Sequence, residues 1–345
     1  MVRPPSSWIA RAMDAGVRWQ LGRMPLRLPP PGSWTPADPT RFWAESSLHD
    51  PALITVGPPR RRDGVEVRTL TGPSRGPGSD PGSHRLVATV HLRPGRPDQP
   101  FVLAIHGLLA AWPQYEEWQC RRLVARGAHA GRIDLPLHLR RRPPGARSGV
   151  GYISADLRWT REVVRQSVED CAAVLAWARS EVSPRLGVMG TSLGGLIACL
   201  LAAHLELSSM VATAPFCDPA GTFLDHLPPR IRGTLALSGG GGGAWGTDRA
   251  AARAAVRSAL APLVPRAFCP PRTPGERIAI VRPTLDTIVG DRAMVELAEA
   301  WGAALWSYPH GHASVVNARG LGRRIRDWLL APGGELGPGG GTAGR

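Results

Sequence analysis

A serine lies between glycines in the segment from Gly190 to Gly194, whose sequence GTSLG matches the pattern G-x-S-x-G. Apolar residues precede this segment in RLGVMG, and a helix-like apolar run follows it in LGGLIACLLAAHL. A sharp turn from a strand into a helix holds a nucleophilic serine, here Ser192, in a strained conformation above a sheet. Since the chain contains 41 glycines, the pattern also arises by chance, and the surrounding chemistry decides its interpretation.

A nucleophilic serine needs a base that takes its proton and an acid that orients the base. Candidates for both roles follow Ser192 along the chain. Asp286 ends the strand-like segment RIAIVRPTLD, and His312 lies in the segment YPHGHAS. The chain order of serine, acid and histidine fits a serine nucleophile on a strand-to-helix turn.

Attack of the serine on a carbonyl group creates a negatively charged oxygen, which two backbone N–H groups must bind. The first is the N–H of Leu193, directly after the nucleophile. We expect the second in the loop HGLL after FVLAI, where Gly107 lets the chain turn towards the serine and Leu108 is the candidate donor. No proton-transfer role is assigned to His106.

Short apolar strands alternate with helices from residue 101 onwards. The predicted strands lie in FVLAIHG, HAGRIDLP, RLGVMG, SSMVATAPF, RIAIVRPTLD and ALWSYP, and the predicted helices cover residues 114–126, 156–180, the segment after Ser192, 291–301 and the stretch before 330. This alternation predicts an α/β fold with a mostly parallel sheet and helices on both faces. In such a sheet the reactive groups gather at the carboxyl ends of the strands.

Residues 1–60 form an N-terminal extension that is rich in proline and tryptophan. Its apolar residues recur at helical spacing with arginines between them: Ile9, Met13, Val17, Leu21 and Met24, with Arg11, Arg18 and Arg23. This spacing predicts an amphipathic helix. Two roles fit such a helix, namely a strap across the surface of the main domain and a segment that binds an anionic membrane surface.

Residues 61–331 are predicted to form the main domain. The domain begins with two strand-like segments, VEVRTLTGP and HRLVATVHLRP, which are separated by the loop SRGPGSDPGS. An insertion at about residues 218–275 precedes the seventh strand and lies at the active-site end, where a lid or cap is typical. The tail, residues 332–345, has almost no apolar residues and is predicted to be disordered.

The 345-residue chain has a net charge of +15, and all 42 of its basic residues are arginine. Together with abundant alanine, glycine and proline, this composition indicates a GC-rich coding bias. Because no nucleic-acid-binding signature accompanies the arginines, we predict no nucleic-acid partner, while attraction to anionic lipid or phosphate stays open. The sequence shows neither a signal peptide nor a membrane-spanning apolar run, which predicts a cytoplasmic protein, with peripheral contact to the inner face of the membrane as a further option.

The chain has five cysteines without paired spacing, which argues against a disulfide framework and against a zinc cluster. His310 and His312 form an H-x-H pair of the kind that binds metals, and His106, Asp134 and His138 could complete such a site. The ligand spacings usual in metal-dependent hydrolases are missing. The sequence therefore predicts no metal and no cofactor.

Four segments, AIHGLL, GTSLGG, TLDTIV and HGHAS, follow one another in an order that resembles the α/β-hydrolase superfamily, and the resemblance covers about residues 65–330. The resemblance implies a mostly parallel sheet, a catalytic triad of Ser192, His312 and Asp286, and acyl-serine chemistry on an ester, thioester or amide without a cofactor. The segment IDLPLHLRRRPPGARSGVGYISAD lacks the aspartate-glycine-serine sequence that is more usual after the fourth strand. It resembles a little-characterised branch of the superfamily, which leaves the substrate open.

Other residues compete for the roles of base and acid. His310 is the alternative base, and we favour His312 because GHAS resembles the glycine-histidine loop that presents the base in this superfamily. Asp291 suits a helix N-terminus better than the triad, whereas Asp218 follows an earlier strand, where some hydrolases place their acid. Chain order and the strand-end position favour Asp286 as the acid.

Three consecutive arginines, Arg140, Arg141 and Arg142, follow Asp134 at the end of a predicted strand and are expected beside the mouth of the pocket. A planar guanidinium there could recognise an anionic group, such as a phospholipid headgroup, a coenzyme A thioester or a free carboxylate. Consecutive residues cannot all face one direction, so at most one or two of these arginines would reach a substrate. The alternative is a solvated charged loop.

Three functional hypotheses follow from these candidates. The first is a serine hydrolase of the carboxylesterase or lipase-like kind, acting on a small-molecule or lipid acyl ester through an acyl-serine intermediate. The second is an acyltransferase, in which an alcohol or amine takes the acyl group from the same intermediate. The third is a catalytically silent α/β-hydrolase fold that serves in binding or membrane docking. The sequence leaves the oligomeric state open.

Overall fold

The computed structural model describes residues 7–23, 35–46, 48, 53–78, 80, 82–226 and 249–331. A sheet of ten strands runs through the centre of this part of the chain. Its strands are β1 (Thr55–Val56), β2 (Arg60–Arg62), β3 (Val65–Pro73), β4 (Arg85–Leu92), β5 (Phe101–Ile105), β6 (His129–Asp134), β7 (Leu186–Thr191), β8 (Ser209–Thr213), β9 (Ile278–Pro283) and β10 (Ala304–Tyr308).

Helices precede the sheet and connect its strands. They are α1 (Ser7–Gly22), α2 (Pro39–Ala44), α3 (Gln114–Val124), α4 (Leu157–Glu181), α5 (Leu193–His204), α6 (Pro219–Gly221), α7 (Arg249–Leu260), α8 (Arg292–Trp301) and α9 (Leu321–Leu330). The single turn of α6 continues as a π-helix over Thr222–His226. Among the described helices, none combines the length and the apolar character that crossing a membrane requires.

The strands lie in the order β1-β3-β4-β6-β5-β7-β8-β9-β10, and β2 pairs with β3. From β6 to β10 the neighbouring strands are parallel, whereas β1 to β4 form an antiparallel flank that joins the parallel part where β4 pairs with β6. At the centre, Ile105 of β5 is paired with Ile133 of β6 and with Gly190 of β7. The prediction of a mostly parallel α/β sheet is confirmed.

Both faces of the central strands are covered. All residues of β5 and β8 are buried, although alternate residues of a strand point to opposite faces of the sheet. Helix α5 contacts β7 and β8 on one side and α4 on another, and its residues from Leu193 to Ala203 are buried. The long helix α4 begins at the carboxylate of Asp156, which accepts hydrogen bonds from two backbone N–H groups of the first turn.

The carboxyl ends of the parallel strands meet at one edge of the sheet. Thr191 at the end of β7 is paired with Thr213 of β8, and Pro283 at the end of β9 is paired with Tyr308 of β10. Ser192 follows directly after β7, and the loops that carry the candidate acid and the candidate base leave β9 and β10 at the same edge. Parallel pairing therefore brings together residues that are far apart along the chain.

Helix α1 is present as predicted, and it buries part of the predicted apolar face, because Leu21 is buried and Val17 packs against the core. Ile9 and Met13 are exposed, whereas Ala10, Asp14 and Leu21 are buried. In the first half of the helix the buried positions, Ala10 and Asp14, are shifted by one residue from the predicted Ile9 and Met13. The shift has a polar cause, because the buried carboxylate of Asp14 is hydrogen-bonded to loops of the main domain. Met24 lies outside the described residues.

The predicted insertion at residues 218–275 is described in part. Its described residues include α6 with the π-helix that follows it, and α7, which contacts α4 and α6. Residues 227–248 of the insertion and the whole predicted tail, residues 332–345, lie outside the described residues. A lid role for the insertion stays a prediction.

Candidate active site

Ser192 forms a sharp turn between β7 and α5, with a φ of 56° and a ψ of −114°. The backbone N–H of Ser192 donates to the carbonyl oxygen of Thr213 on the neighbouring strand at 2.9 Å. A Cβ on Gly190 would lie 2.0 Å from the carbonyl oxygen of Gly194, and a Cβ on Gly194 would lie 2.2 Å from the carbonyl oxygen of Ile105. Both glycines of the pattern are thus required by close backbone contacts, and the segment is a strained strand-to-helix turn rather than a glycine-rich coincidence.

His312 connects Ser192 with Asp286 through two short hydrogen bonds. Its Nε2 lies 2.8 Å from the Ser192 Oγ, and its Nδ1 lies 2.7 Å from the Asp286 Oδ2. A neutral imidazole with its proton on Nδ1 donates to Asp286, which leaves the lone pair of Nε2 to accept the serine hydroxyl proton. The structure therefore brings together the three residues that the sequence predicts for this site.

The environment keeps the acid ionised. Burial raises the pKa of Asp286, but the facing His312 and the backbone N–H groups of Ile288 and Val289 lower it more, so that the net shift is downward. These N–H groups donate to the Asp286 Oδ1 at 2.8 and 3.0 Å. The carboxylate is thereby held in one orientation, with its other oxygen facing the imidazole.

Opposing effects act on the base. Burial lowers the pKa of His312, while the carboxylates of Asp286 and Asp14 raise it, and the net shift is upward from the ordinary value of a histidine. The side chain of His312 is 8% exposed, and that of Asp286 is fully buried. A base with a raised pKa accepts a proton readily but is lost to protonation at low pH.

The alternative bases and acids are engaged elsewhere. His310 Nδ1 lies 3.3 Å from the hydroxyl of Ser314, and burial lowers the pKa of this histidine. Asp291 accepts a hydrogen bond from Arg282 at 2.9 Å, and Asp218 caps its own helical turn through a bond from the N–H of Gly221. Neither carboxylate has a recorded contact with His312.

The loop after β5 passes close to the nucleophile. A Cβ on Gly107 would lie 3.5 Å from the Ser192 Cβ, so the chain next to Leu108 runs alongside the serine, while Leu193 begins α5 directly after it. His106 supports this loop, because its Nδ1 lies 2.8 Å from the Gly107 carbonyl oxygen and its Nε2 accepts the N–H of Leu135 at 3.1 Å. Both ring nitrogens of His106 are therefore engaged in contacts that hold this loop, and we assign the residue no role in proton transfer.

The three consecutive arginines point in different directions. Arg141 is fully buried, and its guanidinium donates to Asp170 at 2.7 Å and to Ser74 at 3.0 Å. This buried ion pair turns Arg141 away from any substrate, which corrects its inclusion among the substrate-binding candidates. Arg140 is paired with Asp134 at 2.6 Å, with its side chain 41% exposed.

Arg142 is exposed and lines a surface groove together with Trp112, Pro143 and residues of the loop that follows β5. The hydroxyl of Ser148 joins the two loops, since it donates to the carbonyl oxygen of Ala110 at 2.5 Å and accepts the N–H of Leu139 at 3.0 Å. Arg140 also lines this groove, and the place of Arg140 and Arg142 beside the mouth of the site stays a prediction.

One residue of the site was not predicted from the sequence. Asp14 of α1 is fully buried, and its Oδ2 accepts from the N–H and hydroxyl of Thr287 at 3.1 and 3.2 Å and from the N–H of His312 at 3.1 Å. Its Oδ1 accepts the N–H of Ala313 at 3.0 Å. The sequence does contain one signal for this role. Asp14 is an isolated acid in a helix with several arginines, and it lies one helical turn from Ala10 and from Val17, which also face the domain.

Comparison with solved structures gives the fold a second line of support. An acetyl xylan esterase from Paenibacillus sp. R4 is similar over 90% of this chain and 98% of its own, with a TM-score of 0.60 and 12% identity. Acetyl xylan esterase 1 from Thermoanaerobacterium sp. JW/SL YS485 is similar over 90% and 97%, with a TM-score of 0.57 and 16% identity. The chain has the α/β-hydrolase fold.

A cold-adapted esterase from an Arctic intertidal metagenomic library is also similar, over 79% of this chain and 98% of its own, with a TM-score of 0.50 and 18% identity. No protein-family model matches the sequence, and a search of curated proteins finds no match. At these identities the comparison bears on the α/β-hydrolase fold alone, so the chemistry must be argued from the residues of this chain.

Proposed function

We propose that the protein is a serine ester hydrolase, with Ser192 as the nucleophile, His312 as the base and Asp286 as the acid that orients the base. The observation that carries this proposal is the continuous hydrogen-bond chain from Asp286 through His312 to the hydroxyl of Ser192. Its position on a strained turn at the carboxyl edge of a parallel sheet supports the same chemistry. That the similar structures are those of esterases agrees with it.

In the first half of the reaction, the Ser192 Oγ bonds to the carbonyl carbon of the ester while His312 Nε2 takes the hydroxyl proton. The electron pair of the carbonyl bond moves onto the oxygen, where the backbone N–H groups of Leu193 and Leu108 stabilise the negative charge. When the carbonyl re-forms, the bond to the alkoxy oxygen breaks, and the departing alcohol takes the proton from His312. The product of this half is an acyl group on Ser192.

In the second half, a water molecule attacks the acyl group and gives one proton to His312. Collapse of the second tetrahedral intermediate breaks the bond to the Ser192 Oγ, which regains the proton from His312. The carboxylic acid leaves, and the site returns to its starting state. Asp286 remains ionised throughout and stabilises the imidazolium that forms twice in each cycle.

The substrate class proposed here is a carboxylic ester of the carboxylesterase or lipase-like kind. Arg142 and Arg140 line a groove that includes part of the loop after β5, and their positive charge favours esters that carry an anionic group. The net charge of +15 also favours the approach of anionic esters to the protein as a whole.

Labelling with a fluorophosphonate probe tests the proposal, because the probe reacts with an activated serine and needs no knowledge of the substrate. We expect covalent labelling of the full-length protein that Ser192→Ala abolishes. In this variant the strained turn stays intact, since alanine and serine both carry a Cβ at that φ. Absence of labelling from the folded wild type, or retention of labelling in Ser192→Ala, would overturn the proposal.

Matched variants sharpen this test. Ser180→Ala, which changes an exposed serine on α4, should label like the wild type. His312→Ala should lower ester hydrolysis by about four to six orders of magnitude, as in other serine triads, whereas His310→Ala should keep most of the activity. Loss of activity in His310→Ala together with an active His312→Ala would reverse the assignment of the base.

A further inference from the structure

Helix α1 lies outside the alternation of strands and helices, yet it reaches the loops that hold Asp286 and His312. The backbone of α1 approaches these loops closely at Gly311, where a Cβ would lie 2.9 Å from the carboxylate oxygens of Asp14 and 3.0 Å from the carbonyl oxygen of Ala10. Arg18, one turn further along α1, donates to the carbonyl oxygen of Thr287 at 3.1 Å. The helix is thus docked against the loops of the site through backbone contacts that a larger residue at position 311 would prevent.

The carboxylate of Asp14 connects the two loops, which are also joined by a backbone hydrogen bond from the N–H of Leu285 to the carbonyl oxygen of His310. Its Oδ2 binds the N–H of Thr287, which follows the acid Asp286, and the N–H of the base His312 itself. Each hydrogen bond to a buried carboxylate is charge-assisted, and such bonds are stronger and more directional than bonds between neutral groups. One buried carboxylate therefore binds the backbone next to the acid and the backbone of the base at the same time.

We propose that Asp14 is a positioning residue of the catalytic triad, through which the N-terminal helix completes the active site. This inference rests on the proposed function, because it assigns a role in the same proton transfer. Asp14 touches neither Ser192 nor the reacting atoms, and it acts by holding the loops of Asp286 and His312 at the separation that the hydrogen-bond chain requires. Displacement of a catalytic group by about 1 Å costs roughly 100-fold in rate.

Because Asp14 is charged, it also affects the pKa of His312, which an uncharged contact that only holds the loops would not do. The charged and titratable groups around the two loops include Asp286 and His310 of the loops themselves and three residues of α1: Asp14, which binds both loops, and Arg11 and Arg18, which lie beside the loop of Asp286. Burial lowers the pKa of His312, while the carboxylates of Asp286 and Asp14 raise it. Removal of the Asp14 charge therefore lowers the pKa of the base.

The test compares Asp14→Asn with the wild type in the full-length protein, with fluorophosphonate labelling and steady-state hydrolysis of a neutral short-chain ester measured across pH. We expect kcat to fall by about 100-fold with KM nearly unchanged, because the loops lose their alignment but the substrate contacts remain. The acidic limb of kcat/KM should move to lower pH, because a base with a lower pKa stays deprotonated to lower pH.

Two further variants serve as controls. Arg18→Gln removes another contact between α1 and the loop of Asp286 but leaves the Asp14 carboxylate in place, so its acidic limb should not move to lower pH. Thr287→Val removes one hydroxyl donor to Asp14 while the charge stays, which should lower kcat by about fivefold without a downward shift of the limb. Thr287→Val also tests the proposal if Asp14→Asn fails to fold, as judged by circular dichroism.

The outcomes separate this inference from the proposed function. Absence of labelling in the folded wild type overturns the proposed function itself. A labelled wild type together with wild-type kcat in Asp14→Asn overturns the positioning role, and so does a loss of kcat without movement of the acidic limb. If Asp14→Asn is unfolded, a wild-type kcat in Thr287→Val overturns the role instead.

Discussion

The carboxylate of Asp286 controls both the orientation and the charge of His312. One of its oxygens binds the imidazole, while the other is held by the N–H groups of Ile288 and Val289. The carboxylate is buried, so its interaction with an imidazolium is screened little by water. At the scale of single residues, therefore, we expect substitution of the acid, like that of the base, to cause a large loss of activity.

Replacement of Asp286 by asparagine should lower kcat by about 10⁴-fold, because the amide favours the wrong tautomer of His312 and no longer stabilises its charged form. Since Asp286 raises the pKa of His312, the remaining activity should also extend to lower pH than in the wild type. A pH profile of kcat/KM for a neutral ester checks both effects.

Asp218→Asn and Asp291→Asn are the matched controls for this change, because both carboxylates belong to the alternatives considered above and both are engaged in other contacts. Both controls should keep most of the activity. An active Asp286→Asn beside an inactive Asp218→Asn would move the acid to the end of the earlier strand, β8.

At the scale of elements, the loop after β6 depends on a buried ion pair. The guanidinium of Arg141 is fully buried and binds Asp170 of α4, Ser74 after β3 and the carbonyl oxygen of Ser83. This pair fixes the loop between the antiparallel flank of the sheet and the longest described helix. The same loop is joined through Ser148 to the chain that passes Ser192.

Arg141→Ala should lower the free energy of unfolding by about 3 to 5 kcal/mol, because removal of one partner leaves the carboxylate of Asp170 buried without its counterion. Arg142→Ala, at the neighbouring exposed position, should change it by no more than about 0.5 kcal/mol. Chemical denaturation monitored by tryptophan fluorescence compares the two. Equal stabilities of the two variants would contradict the structural role assigned to Arg141.

The central strands and the triad could be predicted because their signals are local. A buried parallel strand is a short apolar run, as FVLAI shows, and a nucleophilic turn requires glycines at fixed spacing around Ser192. Because parallel strands end at one edge, chain order was then sufficient to assign Asp286 and His312 as the acid and base candidates. These three residues are hydrogen-bonded to one another in the structure.

The roles of Asp14 and Arg141 could not be predicted, because each depends on a partner that is distant in sequence. Asp14 meets Thr287 and His312 across nearly the whole described chain, and Arg141 meets Asp170 on another element. Hydrophobic periodicity treats a charged residue as a mark of the exposed face, so it placed Ile9 and Met13 on the buried side of α1 instead of Ala10 and Asp14. It also could not separate the buried Arg141 from the neighbouring arginines, and so included it among the substrate-binding candidates. A buried charge is recognisable only once its counterpart in space is known.

At the scale of the whole molecule, the net charge of +15 creates a field that attracts anionic substrates and weakens as salt is added. Arg142 and Arg140 line the groove beside the loop after β5 together with Arg132, whose guanidinium binds Glu117 and Asp134. We expect the double variant Arg140→Gln/Arg142→Gln to have a raised KM for esters that carry a carboxylate or phosphate, with neutral short-chain esters nearly unchanged.

Measurements of KM against ionic strength check this expectation for both substrate types. In the wild type, KM for the anionic ester should rise with salt, and the rise should be smaller in the double variant because part of the attractive charge has been removed. An equal effect of the substitutions on anionic and neutral esters would assign these two arginines to a solvated loop.

The docking of α1 has a consequence for biosynthesis. A ribosome makes Asp14 early and His312 late, and the hydrogen bond between them spans 298 residues. The first helix therefore lacks the loops that it contacts until almost all of the described chain has been translated. A chain that has not yet been translated as far as His312 lacks both the candidate base and the contacts with Asp14, so the proposed active site is assembled only late in synthesis.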